Sequence, residues 1–200
     1  MSGSLRAIMR SFATGVCIAS TYRGEGAHRR HDAITVNSLT SVSLEPPLIS
    51  LCLRHGSGFL ADVLATGKWA LSILEGGEDA LAVRFAAGRP ARTLALAALA
   101  ASAGERTGAL VLDEHAWLEC ELADRFDVGD HKMLIGRVMS VNLVAQDRPT
   151  LAFLHGSYRT LPAHGAPLDL PRLAAALAVS ASTTVPGPAP AAGLPEGVIR

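Results

Sequence analysis

In residues 116–128, "AWLECELADRFDV", small or apolar residues alternate with Trp117, Glu119 and Glu121, and they are Ala116, Leu118, Cys120 and Leu122. This period of two is typical of a half-buried strand. A second segment, "KMLIGRVMSVNLVA", follows after the turn sequence "VGDH". We therefore expect a long antiparallel hairpin with the two glutamates on its polar face and a bulge at Gly136.

Shorter apolar runs bounded by turn residues predict further strands. They cover residues 16–22, about 32–38 and about 48–54, and the segments "KWALSIL" and "TLAFLHGSYRTL". Pro46 and Pro47 separate two of these runs, because proline cannot donate to a strand ladder and marks a strand start or an edge. Many antiparallel strands with a few short helices predict a mainly β fold, with a barrel as its architecture.

Three segments have the spacing of short helices. Ser4 is placed to cap the first helix, which we expect to end at Gly15. Ser57 and Gly67 bound the second, "SGFLADVLATG", and the third is "GEDALAVRFAAG". The alanine-rich segment "ARTLALAALAASAGERTG" fits either a helix or an irregular excursion, because alanine propensity alone does not fix its packing.

Composition and charge limit the functional classes. The 200 residues include 18 basic and 18 acidic ones, so the net charge is zero and gives no footprint for nucleic acid or an anionic membrane. No apolar run approaches the length of a bilayer span and no export signal is visible, so we expect a soluble, cytoplasmic protein. The three cysteines, Cys17, Cys52 and Cys120, lack the spacing of a disulfide framework or a zinc site, and we expect no metal.

The composition changes after Leu161. Seven of the eleven prolines fall in residues 162–200. We expect a folded domain over residues 1–161 and a Pro/Ala-rich, largely disordered tail after it.

Five segments in register resemble one known family. They are "FATGVCIAS", "AITVNSLTSVSLEPPLISLCLR", "RFAAG", "GDHKMLIGRV" and "HGSYRTL". In this order and spacing the chain is similar to the flavin reductases with the FMN-binding split-barrel fold. The resemblance covers about residues 5–161, and it implies a Greek-key split β-barrel.

The resemblance also explains why a strand-like stretch carries so many hydroxyls and amides. A flavin ring has one apolar end and one end rimmed with donors and acceptors, so its site needs apolar walls and short polar side chains. The residues that the resemblance places at or near the ring are Thr35, Val36, Asn37, Ser38, Ser41 and Ser43.

The same resemblance implies positions for the rest of the flavin. Cys52, Leu53 and Arg54 would follow the ribityl chain toward the phosphate. Ser57 and Phe59 open a helix whose N–H groups favour an anion.

Four further residues receive roles from the resemblance. His131, in the "GDH" segment, is the candidate catalytic residue near the reactive face of the ring, although Gly129 and Asp130 before it also fit a plain turn. Phe85 and Tyr158 would wall the pocket, and Arg159 would reach a phosphate.

The activity implied is NAD(P)H-dependent reduction of FMN or FAD by a homodimer that supplies a partner monooxygenase or halogenase. Two alternatives remain open. One is a flavoprotein that keeps its FMN and reduces ferric complexes or another acceptor, and the other is a non-enzymatic flavin-binding protein on the same fold.

Overall fold

The computed structural model describes residues 4–144 and 147–163. Its helices are α1 (Leu5–Met9), α2 (Gly58–Thr66), α3 (Asp79–Phe85) and α4 (Arg89–Leu96), with a short 3₁₀ helix at Gly26–His28. Its strands are β1 (Thr14–Gly15), β2 (Cys17–Arg23), β3 (Arg30–Val36), β4 (Thr40–Leu44), β5 (Pro47–Arg54), β6 (Lys68–Ile73), β7 (Ala101–Ala103), β8 (Leu110–Leu112), β9 (Trp117–Val128), β10 (His131–Asn142), β11 (Thr150–Leu154) and β12 (Ser157–Leu161). The mainly β prediction is confirmed.

One seven-stranded antiparallel sheet, in the order β3-β2-β6-β9-β10-β5-β4, dominates the fold. Residues 37–39 alone connect its two edge strands, β3 and β4. A connection of this length spans at most about 14 Å, so the sheet curls until its edges approach each other. The sheet therefore takes the form of a barrel with a split between β3 and β4.

Two small sheets complete the structure. Strands β1, β11 and β12 form one of them and lie beside the start of β2, while β7 and β8 form a short hairpin. Within the described residues, every helix is too short or too polar to cross a lipid bilayer.

The principal core fills the curled sheet. Trp69, Leu51 and Leu134 are fully buried there, and α2 closes one side with Phe59 and Val63. The second core cluster contains Ile18, Phe85, Leu112 and Leu151 and packs α3 against β2 and β3.

The long hairpin is present, with a register shift between Ile135 and Gly136 as predicted. The expectation that Glu119 lies on a polar, exposed face is wrong, because its side chain is fully buried. Its carboxylate accepts hydrogen bonds from the N–H of Thr107 at 2.8 Å, the hydroxyl of Thr107 at 2.7 Å and the N–H of Arg106 at 3.1 Å. The loop between β7 and β8 covers the strand there, so burial is set by a remote segment.

Other element boundaries differ from the sequence prediction. Ser4 caps α1, but the helix ends at Met9, before the predicted Gly15, because residues 14–15 pair with β11. Strand β4 was not predicted, although Pro47 does begin β5. The alanine-rich segment divides into α4 and β7, so it is neither one helix nor an irregular excursion.

The predicted tail, residues 162–200, lies outside the described residues except for Pro162 and Ala163. Its predicted disorder stays a prediction.

Candidate functional site

A pocket of about 160 Å³ lies at the end of β3, where the main sheet meets the small β1-β11-β12 sheet. Strand β3 supplies Thr35 and Val36, and Asn37 follows directly after it. The pocket is lined by Val16, Thr35, Val36, Asn37, Ala86, Phe153 and Tyr158. Four residues predicted from the sequence, Thr35, Val36, Asn37 and Tyr158, thus share one cavity.

Two aromatic side chains form the wall opposite β3. Phe153 and Tyr158 are cross-strand partners on β11 and β12, with ring centroids 5.3 Å apart and planes inclined at 62°. This edge-to-face arrangement is a favourable one for an aromatic pair. Partial burial raises the pKa of the Tyr158 phenol, so the pocket wall remains uncharged at neutral pH.

The two polar side chains of the pocket, one on β3 and one directly after it, make different hydrogen bonds. The Thr35 hydroxyl donates to the backbone oxygen of Ala82 at 2.6 Å, and this bond ties α3 to β3. Asn37 is exposed and donates through Nδ2 to the Thr14 hydroxyl at 3.2 Å. The Asn37 amide has two acceptor lone pairs and a second N–H, so it retains capacity for a ligand, whereas the Thr35 hydroxyl proton is already used.

A wider recess of about 390 Å³ adjoins this pocket and shares Asn37 and Phe153 with it. Its other lining residues come from the N-terminal segment and the β11–β12 turn, and they are Arg6, Met9, Arg10, Phe12, Thr14 and Gly156. The two cavities are therefore neighbours that share part of one wall.

Ser38 connects the pocket to β5. Its hydroxyl donates to the backbone oxygen of Cys52 at 2.9 Å and accepts from the Cys52 N–H at 3.2 Å. These two bonds fix the connector between β3 and β4 against the strand that carries Cys52, Leu53 and Arg54. Ser41 and Ser43 lie further along β4, opposite Ile49 and Leu48 in the ladder, with Ser41 exposed and Ser43 half-buried.

The β5 residues differ in what they can offer a ligand. Cys52 is half-buried, and burial raises the pKa of its thiol. The Leu53 side chain is 4% exposed and belongs to the principal core, so only its backbone can meet a ligand. Arg54 ends the strand and is exposed.

Helix α2 begins beside Arg54. The Ser57 hydroxyl accepts from the Leu60 N–H at 3.3 Å and so caps the helix, which leaves its own O–H free to donate. The Phe59 side chain is 1% exposed and lies in the core, so this residue also offers only its backbone. A Cβ at Gly58 would lie 3.0 Å from the Arg89 guanidinium, which places an unpredicted cation at this helix start.

His131 lies at the Arg54 end of the site, because the two residues are ladder partners on β10 and β5. Its Nδ1 is 2.7 Å from the Asp130 carboxylate, and its side chain is 43% exposed. The hydrogen bond to His131, helped by the charge that the imidazole carries when protonated, lowers the pKa of Asp130. Gly129 has a positive φ of 59°, so the "GDH" segment also forms the β9–β10 turn.

Phe85 and Arg159 were also predicted as site residues, but neither lines the pocket. The Phe85 side chain is 1% exposed within the second core cluster, and Ala86 beside it lines the cavity. Arg159 is exposed, and because neighbours on a strand face opposite sides, it points away from the face on which Tyr158 lines the pocket.

Sequence reasoning did not identify Ala86, Phe153 and Thr14 as site residues. Ala86 follows the predicted Phe85, and Thr14 lies within "FATGVCIAS", one of the segments on which the resemblance rests. Only the tertiary contacts show that these three residues meet at β3.

Comparisons with known proteins give a consistent result. Residues 9–162 match the model of the flavin reductase like domain family. The chain is 30% identical over 161 residues to the reductase component of 4-hydroxyphenylacetate 3-monooxygenase from Thermus thermophilus, covering 80% of this chain and 97% of that protein.

Solved structures agree in fold. The flavin reductase component of a bacterial two-component tryptophan halogenase superposes with a TM-score of 0.71 at 34% identity, covering 79% of this chain and 96% of the other. The NADH:FAD oxidoreductase SgcE6 of Streptomyces globisporus, in complex with NAD and FAD fragments, has a TM-score of 0.70 at 28% identity, covering 82% of this chain and 93% of the other. The expected split-barrel fold is thereby confirmed, and the chain belongs to the flavin reductase-like domain family.

Proposed function

We propose that this protein oxidises NADH or NADPH and reduces FMN or FAD, which then leaves to serve a separate oxygenase or halogenase. The observation that carries the proposal is the pocket at Thr35, Val36 and Asn37, next to which Ser38 is hydrogen-bonded to Cys52 on the strand that ends at Arg54. Its relatives include reductase components of a monooxygenase and a halogenase. The family membership and the site thus point to the same activity.

The residues of the pocket fit an isoalloxazine ring. Val16, Val36 and Phe153 supply apolar walls, while Asn37 supplies an amide with donors and acceptors to spare. The bound nicotinamide would supply a hydride to the flavin, and the protein's own part is to hold the two rings in contact and exclude water. One solved relative holds NAD and FAD fragments, which supports both ligand classes here.

The phosphate end of the flavin is assigned to the α2 start. Ser57 offers a hydroxyl, and the first N–H groups of α2 and the exposed Arg54 offer further donors and a positive charge. Arg54→Ala should weaken the binding of FMN more than the binding of riboflavin. Arg125→Ala, at an exposed position on β9, should change the binding of neither. Equal losses for FMN and riboflavin in Arg54→Ala would reject the phosphate role.

His131 is assigned to the nicotinamide. Its half-exposed imidazole, held at Nδ1 by Asp130, leaves Nε2 free to face a ligand. His131→Ala should lower kcat/KM for NADH about tenfold while flavin affinity changes little, because the lost contact acts on hydride transfer. His28→Ala, at an exposed site, is the matched control, and unchanged turnover in His131→Ala would remove His131 from the mechanism.

Homodimer formation is part of the proposal. The β9–β10 hairpin exposes four large apolar side chains: Phe126 at 47%, Val128 at 51%, Met139 at 41% and Val141 at 65%. Phe126 and Val128 lie at the turn end of the hairpin and Met139 and Val141 at its other end, and burial of these side chains against a second copy would remove their apolar surface from water. Light scattering should give twice the chain mass, and the Phe126→Asp/Val141→Asp double variant should give a monomer; a monomeric wild type would exclude the dimer.

A flavoprotein that retains its flavin would elute from gel filtration with stoichiometric yellow colour. A non-enzymatic flavin-binding protein would bind flavin and leave NAD(P)H unoxidised. Free flavin exchange with NAD(P)H turnover is the result that our proposal requires.

A further inference from the structure

Arg6 and Arg10 are cations that the proposed reaction has not used. They project from α1 and the residue after it into the recess beside the ring pocket. Within the part of the chain that the structure describes, neither arginine is within ion-pair distance of a carboxylate, and the residues that line the recess include no acid. The recess is therefore a positively charged cavity.

Arg10 is held in place by the β11–β12 turn. The His155 N–H donates to the Arg10 backbone oxygen at 2.7 Å, which ties the end of α1 to that turn. The guanidinium lies over Gly156, where a Cβ would come within 3.0 Å of Nη2 and 3.3 Å of Nε. The turn thus leaves room for the Arg10 side chain at the mouth of the site.

Aromatic groups lie beside these charges. Phe12 is 62% exposed, and Phe153 is shared with the ring pocket. An exposed aromatic face beside two guanidinium groups matches a nucleotide, because purine bases stack on aromatic rings and guanidinium groups bind phosphate through paired hydrogen bonds. Thr14 and Asn37 add hydroxyl and amide groups of the kind that bind a ribose.

Size and position point the same way. The ring pocket of about 160 Å³ is too small for a whole dinucleotide, whereas the adjoining recess measures about 390 Å³. Small-molecule sites usually occupy roughly 300–1,000 Å³. With the flavin ring in the pocket and its phosphate at the α2 start, the recess remains open to the other half of a nicotinamide dinucleotide whose ring contacts the flavin.

We infer that this recess binds the adenosine diphosphate half of NAD(P)H, with Arg6 and Arg10 on the pyrophosphate and Phe12 against the adenine. The inference rests on the proposed function, because it needs the flavin ring in the adjacent pocket. FAD carries the same adenosine diphosphate unit, but its first phosphate is the flavin phosphate that the proposed function assigns to the α2 start.

The test compares dinucleotides with mononucleotides in the Arg6→Ala/Arg10→Ala double variant. Three pairs of substrates are used: FMN with NADH, FMN with reduced nicotinamide mononucleotide, and FAD with NADH. Arg106→Ala, an exposed arginine on the β7–β8 loop, is the matched control. Circular dichroism checks that the double variant is folded, and an Arg6→Lys/Arg10→Lys variant keeps the charge.

If NAD(P)H occupies the recess, the double variant loses at least about tenfold in kcat/KM for NADH and is unchanged with reduced nicotinamide mononucleotide, both measured with FMN. A loss for FAD without a loss for FMN, with NADH held constant, would overturn the inference, because it would place the flavin's own phosphates in the recess. Lysine should restore part of the loss for NADH, because it keeps the charge but not the paired geometry. The inference would be overturned if the double variant matched wild type with all three substrate pairs, or if it lost the same factor in kcat/KM with all three.

Calorimetric binding of ADP-ribose separates this inference from the reductase proposal. Binding that the double variant abolishes would support the recess even in an inactive wild type. An active wild type that binds ADP-ribose equally well with and without the two arginines would leave the reductase standing and reject the recess.

Discussion

A buried group of charges fixes α4 to the sheet, and Asp32 is its centre. The Asp32 side chain is 5% exposed, and its Oδ2 accepts from Arg89 Nε and Arg92 Nη2, each at 2.9 Å. Its Oδ1 accepts from Arg92 Nε at 3.1 Å and from the Ala33 N–H at 2.9 Å. Asp62 adds a second carboxylate, 2.7 Å from Arg89 Nη2. Arg89 therefore has two anionic partners, whereas Asp32 is the carboxylate paired with Arg92.

The Asp32→Asn variant keeps the shape of the side chain but removes the charge and turns one acceptor into a donor. Arg92 is only 11% exposed and would be left without its counter-ion. Breaking a buried ion pair from one side costs about 3–5 kcal/mol. Arg89 is 31% exposed and keeps Asp62, so we take the lower end, about 3 kcal/mol. At about 2–4 °C per kcal/mol for a chain of this size, the melting temperature should fall by roughly 6–12 °C.

Urea unfolding of wild type and variants measures this cost directly. Asp62→Asn should cost only about 1 kcal/mol, because Arg89 retains Asp32. Asp113→Asn, at an exposed position, should stay within about 0.5 kcal/mol of wild type. A loss below about 1 kcal/mol for Asp32→Asn, or equal losses for Asp32→Asn and Asp62→Asn, would refute the assignment of Asp32 as the centre of the group.

Three further predictions follow from the site and the core. Iodoacetamide should modify Cys52 slowly and FMN should protect it, while the other two thiols, whose pKa burial raises to about 12, stay unmodified in the native protein. The hydrogen bond to Glu78 raises the pKa of His115 above 6.5. Burial alone would raise the pKa of Glu78, but the hydrogen bonds that Glu78 accepts from His115 and from the Glu75 N–H lower it below 4.5. The ion pair should therefore stabilise the fold by about 1 kcal/mol between pH 4.5 and pH 6.5 and by less outside this range. Gly136→Ala should cost about 1–3 kcal/mol in urea unfolding, because the new Cβ would meet the buried Trp69 ring.

Each of these predictions has its own control. Cys52→Ser should leave the native protein without a modifiable thiol, and labelling that FMN does not slow would remove Cys52 from the flavin path. The stability difference between wild type and His115→Asn should shrink as pH rises through the folded-state pKa of His115 or falls through that of Glu78; a difference independent of pH would contradict the ion pair. Gly15→Ala, where a Cβ meets nothing within 4 Å, should be near neutral, and equal costs at both glycines would contradict the steric argument.

The long strands could be predicted because their information is local. The alternation of residues 116–122 and the later turn at "VGDH" specify a hairpin without reference to the rest of the chain. Ser57 and Gly67 bound α2 as predicted, because capping depends on a few adjacent residues. Glu119 was assigned to the wrong environment because a strand pattern tells which face a side chain takes and not which loop covers that face.

The candidate site could be predicted only in part, for the same reason. Thr35, Val36 and Asn37 lie together in sequence, so one motif identified them. Ala86, Phe153 and the arginines of the recess come from remote elements that meet only after the sheet curls. Phe85 and its neighbour Ala86 show a further limit of prediction from the sequence. A motif identifies the segment that reaches the cavity, but not which of two adjacent side chains faces it.

The measurement that tests the central claim most directly is NAD(P)H oxidation by the purified protein, with FMN, FAD and riboflavin each titrated from zero. Our account predicts turnover that is negligible without added flavin and saturates as flavin is added. Flavin binding without any NAD(P)H oxidation would contradict it.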